Sequence, residues 1–217
     1  MDNKELVEHL IKNGTLKTER IIRAFGLVDR INFCISEQKA NAYKDCALPI
    51  YEDQTISQPS TVALMTEMLD AKPGQKILEI GSGSGYQAAI LSEIVGDKGM
   101  VYTIEIVHKL YEFSKTNLKK YDNVRVIEGD GSLGLKKHAL YDRIIVTAGA
   151  PVIPKSLEEQ LAKGGKLIIP VADLDSYVAG EVYNMKIITK DKSGKISEED
   201  RGAFMFVKLV GKKGWKD

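Results

Sequence analysis

The chain has 217 residues, a length that suits one well-buried domain with a small appendage and is short for two full domains. Hydrophobic residues make up 43% and charged residues 28%, and the net charge of +1 gives no overall electrostatic case for a nucleic-acid or membrane partner. Two cysteines and three histidines without metal-ligand spacing indicate neither a disulfide framework nor a metal site, so we expect no bound metal.

The first residues, MDNKELVEHLIKNG, form an amphipathic and acid-containing pattern that lacks the apolar centre of a secretory signal. No apolar run in the sequence is long enough to span a bilayer. On these grounds we expect a cytoplasmic protein.

Three amphipathic helices are predicted in the N-terminal third of the chain. The first is capped by Asp2 or Asn3 and stopped by Gly14, and the second and third are capped by Thr18 and Ser60. Their apolar residues recur at helical spacing: Leu6, Val7, Leu10 and Ile11 in the first, Ile21, Ile22 and Phe25 in the second, and Val62, Met65, Met68 and Leu69 in the third. The stretch at 31–60 is rich in turn formers and predicts an irregular segment with short strands.

From Lys76 onward, strands alternate with helices, which predicts a parallel sheet covered on both faces. The strand-like runs are KILEI, MVYTIE, VRVIEG, YDRIIVTA and GKLIIPV, and the helix-like runs cover 86–95, 107–120 and 154–162. Two later runs, EVYNMKIITKDKSGKI and RGAFMFVKLVG, predict antiparallel edge strands joined near a turn at DKSGK. We expect a single α/β domain.

A glycine-rich turn, EIGSGSGYQ, follows the first of these strands, where open α/β sheets bind their ligands. Gly81, Gly83 and Gly85 allow the backbone to approach a ligand closely. The turn lacks the Gly-Lys-Ser/Thr ending of a phosphate-binding loop, and Tyr86 stands where a dinucleotide fingerprint needs its third glycine. The pattern therefore indicates a ligand other than a nucleotide phosphate or a dinucleotide.

Three acids at the ends of three successive strands narrow the class of ligand. Glu79 suits a cationic ligand and repels phosphate, Glu105 is placed to bind ribose hydroxyls, and Asp130 is placed to accept the amine of adenine. One such acid alone is more often a solvated residue at a strand end. Together with the glycine turn, the three predict a ligand with a ribose, an adenine, a carboxylate and a positive centre but no phosphate, and S-adenosyl-L-methionine fits this description.

The chain resembles the protein-L-isoaspartate O-methyltransferase family over nearly its whole length. The resemblance lies in QTISQPSTVALMTEML, ILEIGSGSGYQAAIL, VYTIE, EGDGSLG, YDRIIVTAGAPVIPKSLEEQLAKGGKLIIPV and FVKLVGKKGW. TISQP and AGAPVIP are its most specific parts, because many methyltransferases share the glycine turn. It implies a Rossmann-like S-adenosylmethionine-dependent methyltransferase fold, with a helical, substrate-side extension at 1–75, a cofactor-binding core at 76–171 and C-terminal strands at 172–217.

The resemblance also implies an activity. The family transfers the methyl group of S-adenosyl-L-methionine, leaving S-adenosyl-L-homocysteine, to the free α-carboxylate of L-isoaspartyl residues in damaged proteins. The ester then closes to a succinimide, which reopens in part to normal aspartate. Whether D-aspartyl residues are also substrates stays open.

The resemblance assigns functional residues position by position. Ser57 takes the active-site position, where we expect a hydrogen-bond donor for the substrate carboxylate, since an ionised carboxylate needs orientation and no general base. Spacing alone favours a simple turn at SQPS. The implied cofactor contacts are Thr55, Ile56, Ser57, Ser60, Glu79, Gly81, Ser82, Gly83, Gly85, Glu105, Ile106, Asp130 and Gly131. Val210 aligns where some family members carry threonine, so a hydroxyl contact there is absent or replaced.

AGAPVIP, residues 148–154, is expected to form a rigid lip for an extended peptide, because two prolines reduce its freedom. The expected substrate contacts are Ala150, Pro151, Val152 and Ile153. The alternative is an ordinary strand-to-helix connection with Pro154 at the helix start.

Two other functions stay open at this point. One is a methyltransferase of RNA or a small molecule, although the near-neutral charge and the lack of an aromatic-basic strip argue against RNA. The other is a non-enzymatic sensor that binds isoaspartyl peptides. For the favoured function we expect damaged proteins as partners, no nucleic acid or membrane, and a monomer.

Overall fold

The computed structural model of the protein describes residues 1–172 and 182–216. The strands within this part are β1 (Leu48–Pro49), β2 (Thr55–Ile56), β3 (Lys76–Ile80), β4 (Met100–Glu105), β5 (Val124–Glu128), β6 (Tyr141–Val146), β7 (Leu161–Ala172), β8 (Val182–Lys190) and β9 (Ile196–Met205). The α-helices are α1 (Asn3–Lys12), α2 (Glu19–Leu27), α3 (Pro59–Leu69), α4 (Tyr86–Val95), α5 (His108–Asn117) and α6 (Lys155–Glu159). Short 3₁₀ helices cover Arg30–Phe33, Ser36–Asn41, Gly131–Leu133 and Lys136–His138.

Seven of these strands form one sheet in the order β5-β4-β3-β6-β7-β8-β9. The strands from β3 to β7 run parallel, whereas β8 and β9 run antiparallel to their neighbours. The order reverses beside β3, where Ile80 pairs with Ile104 of β4 on one side and Val146 of β6 on the other. A crevice for ligands is expected beyond the carboxyl ends of these three strands. The predicted α/β fold with antiparallel edge strands is confirmed.

Predicted and observed elements agree best where the apolar pattern is long and periodic. Helix α4 covers the predicted 86–95, and β4 covers the predicted run MVYTIE. Helix α6 ends at Glu159, although the pattern predicts a helix to residue 162. The reason is that Leu161 already pairs with Tyr141 of β6 as the first residue of β7.

The start of α3 differs from the prediction that Ser60 is its cap. Pro59 is the first helical residue and Gln58 is the cap, in agreement with the preference of proline for the first position of a helix. The Ser60 amide donates to Asp45 Oδ1 (2.9 Å). Asp45, in the irregular segment, thus accepts the hydrogen bond of a first-turn amide, which in many helices goes to the side chain of the cap residue.

The N-terminal helices are joined to the sheet through α4. Helix α2 packs against α4, and the rings of Phe25 and Phe33 lie 6.3 Å and 5.5 Å from the ring of Tyr86, measured between centroids. Of the predicted inward residues of α1, Ile11 is 42% exposed, so its apolar stripe is narrower than predicted. This packing holds the irregular segment close to the crevice.

The β8–β9 hairpin forms one edge of the sheet. The outer strand β9 is exposed over most of its length. Lys186 Nζ of β8 lies 3.0 Å from both Glu198 Oε1 and Asp200 Oδ2 of β9. The hairpin is therefore held by charged pairs across the strands as well as by its backbone hydrogen bonds.

The division of the chain at 1–75, 76–171 and 172–217 stays a prediction. The last of these parts includes residues 173–181, with the start of the predicted EVYNM strand, which lie outside the described residues. None of the described helices is long and apolar enough to cross a membrane.

Candidate cofactor and substrate site

The glycine turn between β3 and α4 has the backbone geometry that its sequence predicts. Gly81, Gly83 and Gly85 have φ angles of 92°, 51° and 88°, a region that other residues rarely adopt. A side chain on Gly81 would collide with the hydroxyl of Thr147, and one on Gly85 would come within 2.9 Å of the Leu118 side chain. Both the conformation and the close packing therefore require glycine at these two positions.

Glu105 ties this turn to the beginning of α5. Its Oε2 accepts from the Gly83 amide (2.9 Å), and its Oε1 accepts from the amides of Ile106 (2.9 Å) and Val107 (3.1 Å). Below the turn, the hydroxyls of Ser82 and Thr103 share a hydrogen bond of 2.6 Å. The carboxylate of Glu105 is thus fixed at the end of β4, where a ribose-binding acid is expected.

Glu79 is fully buried and stands out as an unpartnered acid. Neither of its carboxylate oxygens has a hydrogen-bond partner among the described residues. Burial raises the pKa of Glu79 to about 8; the nearby Thr103 hydroxyl, whose hydrogen bond is to Ser82, opposes this rise through its dipole, and the charge of Glu105 adds to it. A buried polar group without a partner is costly, which makes Glu79 a candidate for binding a cationic ligand.

A cavity of about 520 Å³ opens at the carboxyl ends of β3, β4 and β6. This volume lies within the range of small-molecule sites in proteins. The glycine turn, the segment at 54–58 and the segment at 204–210 contribute to its walls. Ten of the predicted site residues line it: Thr55, Ile56, Ser57, Glu79, Gly81, Ser82, Gly83, Glu105, Ile106 and Gly131.

Ser57 is half-buried in the cavity wall, and its hydroxyl makes no hydrogen bond to any described residue. Its carbonyl accepts from Arg30 Nη2 (3.0 Å). Arg30 is fully buried and also donates to the carbonyls of Ala42, Cys46 and Ile56, while burial lowers the pKa of its guanidinium. The backbone of Ser57 is therefore fixed, and its hydroxyl is available to a ligand.

The other predicted site residues lie outside the cavity lining. Asp130 Oδ1 accepts from the amide and hydroxyl of Ser132, and its Oδ2 accepts from the Lys212 amide (2.8 Å). Ser60 bonds to Asp45, as described above, and Gly85 packs against Leu118. The roles of Ser60, Gly85 and Asp130 stay predictions.

The predicted substrate contacts in the AGAPVIP loop do not line the cavity either. Ala150 is fully buried and bridges to Val171, whereas Val152 is 57% exposed. Pro151 and Ile153 are partly buried. The loop reaches the cavity through its first residue, Ala148. Its role in substrate binding stays a prediction.

Sequence reasoning missed the wall formed by Phe204–Val210, of which it singled out only Val210. The run RGAFMFVKLVG predicts a strand, but nothing in its pattern predicts which end of the sheet it reaches. Gly149 fixes its place, since the Gly149 amide donates to the Val207 carbonyl and the Leu209 amide donates to the Gly149 carbonyl, both at 2.8 Å. Arg30 was missed as well, because its partners lie far along the chain.

Among the described residues, no group of three His, Cys, Asp or Glu side chains is placed to hold a metal ion. The cavity instead combines a glycine turn, a strand-end acid for a ribose and a buried acid without a partner. These features fit a nucleoside that carries positive charge and no phosphate. The fold and the site thus define the class of S-adenosylmethionine-dependent methyltransferases.

Comparison with known proteins identifies the family within this class. A family model described as Protein-L-isoaspartate(D-aspartate) O-methyltransferase (PCMT) matches residues 1–214. The chain belongs to this family. The predicted family, the fold class and S-adenosylmethionine as the cofactor of the family are confirmed.

Two relatives named Protein-L-isoaspartate O-methyltransferase are similar over their full lengths. The one from Methanothermobacter thermautotrophicus is 42% identical over 217 residues, covering 99% of this chain and 98% of the relative. The one from Pyrococcus horikoshii is 45% identical over 226 residues, covering 100% of both chains. A crystal structure from Plasmodium falciparum, described as a protein-L-isoaspartate O-methyltransferase in complex with S-adenosyl-L-homocysteine, is 27% identical with a TM-score of 0.85 and covers 97% of this chain and 99% of that one.

Proposed function

We propose that this protein transfers the methyl group of S-adenosyl-L-methionine to the free α-carboxylate of L-isoaspartyl residues in damaged proteins. The ester formed leads to a succinimide and so begins repair. The observation that carries the proposal is a cavity that brings together the glycine turn, the unpartnered Glu79 and the free hydroxyl of Ser57 in a chain of this family.

Three groups on the β3–β4 side of the cavity are proposed to hold the cofactor. Glu79 offers a carboxylate to the positive charge of the cofactor, and Glu105 offers oxygens to the ribose. Gly81 and Gly83 allow the backbone to lie against the ligand. When bound, the cofactor supplies a methyl group on a positively charged sulfur, which is a good leaving group.

The reaction needs little chemistry from the protein. A carboxylate oxygen forms a bond to the methyl carbon while the bond from methyl to sulfur breaks, and no proton is transferred. The substrate acid is already ionised at neutral pH. The contribution of the protein is therefore to align oxygen, methyl and sulfur, an effect that supplies at most about 7–11 kcal/mol. Ser57 donates a hydrogen bond that holds the substrate carboxylate in this alignment.

The substrate side of the site is proposed to extend along the AGAPVIP loop, with Pro151, Val152 and Ile153 facing an extended peptide and the buried Ala150 supporting the loop from behind. The position of Ala148 in the cavity lining supports this, because the loop begins in the cavity wall. We further propose a cytoplasmic monomer without a nucleic-acid or membrane partner. Size-exclusion chromatography with light scattering tests the oligomeric state.

Turnover on two peptides that differ only in an aspartyl or isoaspartyl link tests the function. We expect ester formation on the isoaspartyl peptide alone. Ser57→Ala should lower this turnover by about tenfold to a hundredfold, since misplacement of a reacting group by about 1 Å has an effect of this size. Binding of S-adenosyl-L-homocysteine, measured by calorimetry, should stay the same. The control is Ser36→Ala, at an exposed serine that does not line the cavity.

Other outcomes would point to the alternative functions. Methylation of bulk tRNA with no reaction of the isoaspartyl peptide would favour an RNA methyltransferase. Binding of the peptide without any ester formation would favour a sensor. If Ser57→Ala and Ser36→Ala have equal turnover, Ser57 is not an active-site residue.

A further inference from the structure

The charges around the cavity are poorly matched to an anionic substrate. Of the described residues that line the cavity, Glu79 and Glu105 are acidic and Lys208 is the one base. With the cofactor bound and Glu79 ionised, a substrate carboxylate in this cavity meets two carboxylates, and the positive charge of the cofactor offsets part of their repulsion. A cation of the protein near the entrance would favour binding of the substrate over neutral peptides.

Lys208 has a fixed backbone position next to the predicted peptide-binding loop. It forms a parallel bridge with Gly149, and the hydrogen bonds of Val207 and Leu209 to Gly149 hold it from both sides. Gly149 follows Ala148, which itself lines the cavity. The lysine thus lies on the segment where the cavity wall meets the AGAPVIP loop.

The ammonium group of Lys208 is free to bind a ligand. The residue is exposed and forms no ion pair with any described residue. Its Nζ lies 5.8 Å from the centroid of the Trp215 ring, near the outer limit of a cation–π contact. A flexible four-carbon stem allows the ammonium to leave this ring and reach a carboxylate nearby.

We propose that Lys208 is a specificity-determining residue that attracts and holds the carboxylate of the isoaspartyl substrate at the cavity entrance. The proposal rests on the proposed function and adds to it the electrostatic basis of substrate choice. Ser57 aligns the carboxylate for reaction, whereas Lys208 contributes to its capture. Because an ion pair of this kind stabilises the bound ground state and the transition state alike, it lowers KM and leaves kcat nearly unchanged.

The test uses variants of the full-length protein with an isoaspartyl peptide as the substrate. Lys208→Met keeps the length of the side chain but removes its charge, Lys208→Glu reverses the charge, and Lys208→Arg restores it. The matched control is Lys212→Met. Lys212 is an exposed lysine just after this segment and outside the cavity lining, and its bond to Asp130 is made by its backbone amide.

We expect Lys208→Met to raise the KM for the peptide about threefold to fivefold, in line with a partly exposed ion pair. Lys208→Glu should raise it by about tenfold or more, and Lys208→Arg should return it close to the wild-type value. The wild-type KM should rise with salt concentration, and this dependence should be weaker in Lys208→Met. The affinity for S-adenosyl-L-homocysteine and kcat should change by less than about twofold in all of these variants.

The proposal is overturned if Lys208→Met has the same KM and the same salt dependence as Lys212→Met. It is also overturned if Lys208→Met lowers thermal stability and Lys208→Arg does not restore the KM, since this would mean that Lys208 only braces Trp215. Both results presuppose that the wild-type protein methylates the peptide. Lack of any wild-type turnover would instead contradict the proposed function.

Discussion

The buried carboxyl of Glu79 has a consequence for the pH dependence of the proposed cofactor site. With its pKa raised to about 8 by burial, it is largely protonated and uncharged at neutral pH in the ligand-free protein. An ammonium or sulfonium placed beside it favours the carboxylate and lowers this pKa. The proposed cofactor site therefore couples binding of the cofactor to ionisation of Glu79.

This coupling predicts that cofactor binding releases a proton. At pH 7, binding of S-adenosyl-L-homocysteine, which keeps the ammonium of its amino acid, should release about one proton. Its affinity should rise as the pH increases towards 8 and level off above, because the carboxyl is then ionised before binding. Calorimetry at pH 7 in two buffers with different ionisation enthalpies measures the number of protons.

Glu79→Gln removes the titrating group and should abolish both the proton release and the rise in affinity with pH. The same variant should be more stable than the wild type above about pH 8 without ligand. The folded-state pKa of Glu79 lies above its ordinary value, so the wild type loses stability as the pH rises from that value through 8. If Glu79→Gln still releases a proton when it binds the ligand, the proton comes from another group.

At the scale of elements, α3 is the support on which the Ser57 segment rests. Its C-terminal end is held by two cations of the sheet: Arg143 Nε donates to the Leu69 carbonyl and Lys166 Nζ donates to the Met68 carbonyl, both at 2.8 Å. Its N-terminal end is held by the bond from Ser60 to Asp45. Arg30 donates to the carbonyls of Ile56 and Ser57, the two residues that precede the cap residue Gln58. Displacement of Ser57 therefore requires breaking several buried bonds.

Replacement of Arg30 by methionine should lower the free energy of unfolding by about 2–4 kcal/mol, because it leaves several buried carbonyls without a donor. Urea denaturation measures this loss. In the folded fraction, turnover of the isoaspartyl peptide should fall more than the affinity for S-adenosyl-L-homocysteine, since Ser57 is the residue released. The control is Arg23→Met, at an exposed arginine of α2. If Arg30→Met and Arg23→Met have the same free energy of unfolding, Arg30 does not support the segment around Ser57.

These elements also show how far the sequence alone predicts the structure. The ends of β3 and β4 could be predicted because the strand-like runs KILEI and MVYTIE stop at Ile80 and Glu105, and the glycine turn follows from its spacing. The boundary between α6 and β7 could not, because the pairing of Leu161 with Tyr141 overrides the local helical pattern. Arg30 could not be predicted either, because its acceptors are 12 to 27 residues away and are backbone carbonyls, which no sequence pattern marks.

Over the length of the chain, residues that follow the wall at 204–210 bond back to positions beyond the ends of β5 and β6. The Trp215 indole donates to the Gly149 carbonyl (2.9 Å), and the Trp215 amide donates to the Leu209 carbonyl (2.8 Å). The Lys212 amide donates to Asp130 beyond the end of β5. The wall at 204–210 is thus held in place by residues that follow it.

Truncation after Val210 should remove these three bonds and lower the free energy of unfolding by about 3 kcal/mol, at roughly 1 kcal/mol for each bond. For a chain of this size, Tm should fall by about 6–12 °C. The affinity for S-adenosyl-L-homocysteine should also fall, because the cavity wall loses its anchor. The control is truncation after Trp215, which keeps all three bonds. Equal Tm and equal affinity in the two truncated proteins would contradict this role.

The exposed outer strand β9 affects how readily other protein chains pair with the edge of the sheet. A protein proposed to act on aged and partly unfolded chains meets many free backbone segments, and an uncovered strand edge invites them to pair with it. Glu198, Glu199, Asp200 and Arg201 lie in a row on that strand, all exposed. Pairing of another chain with this edge would take these charges out of water. The charged residues of β9 therefore disfavour aggregation of the protein with its damaged substrates.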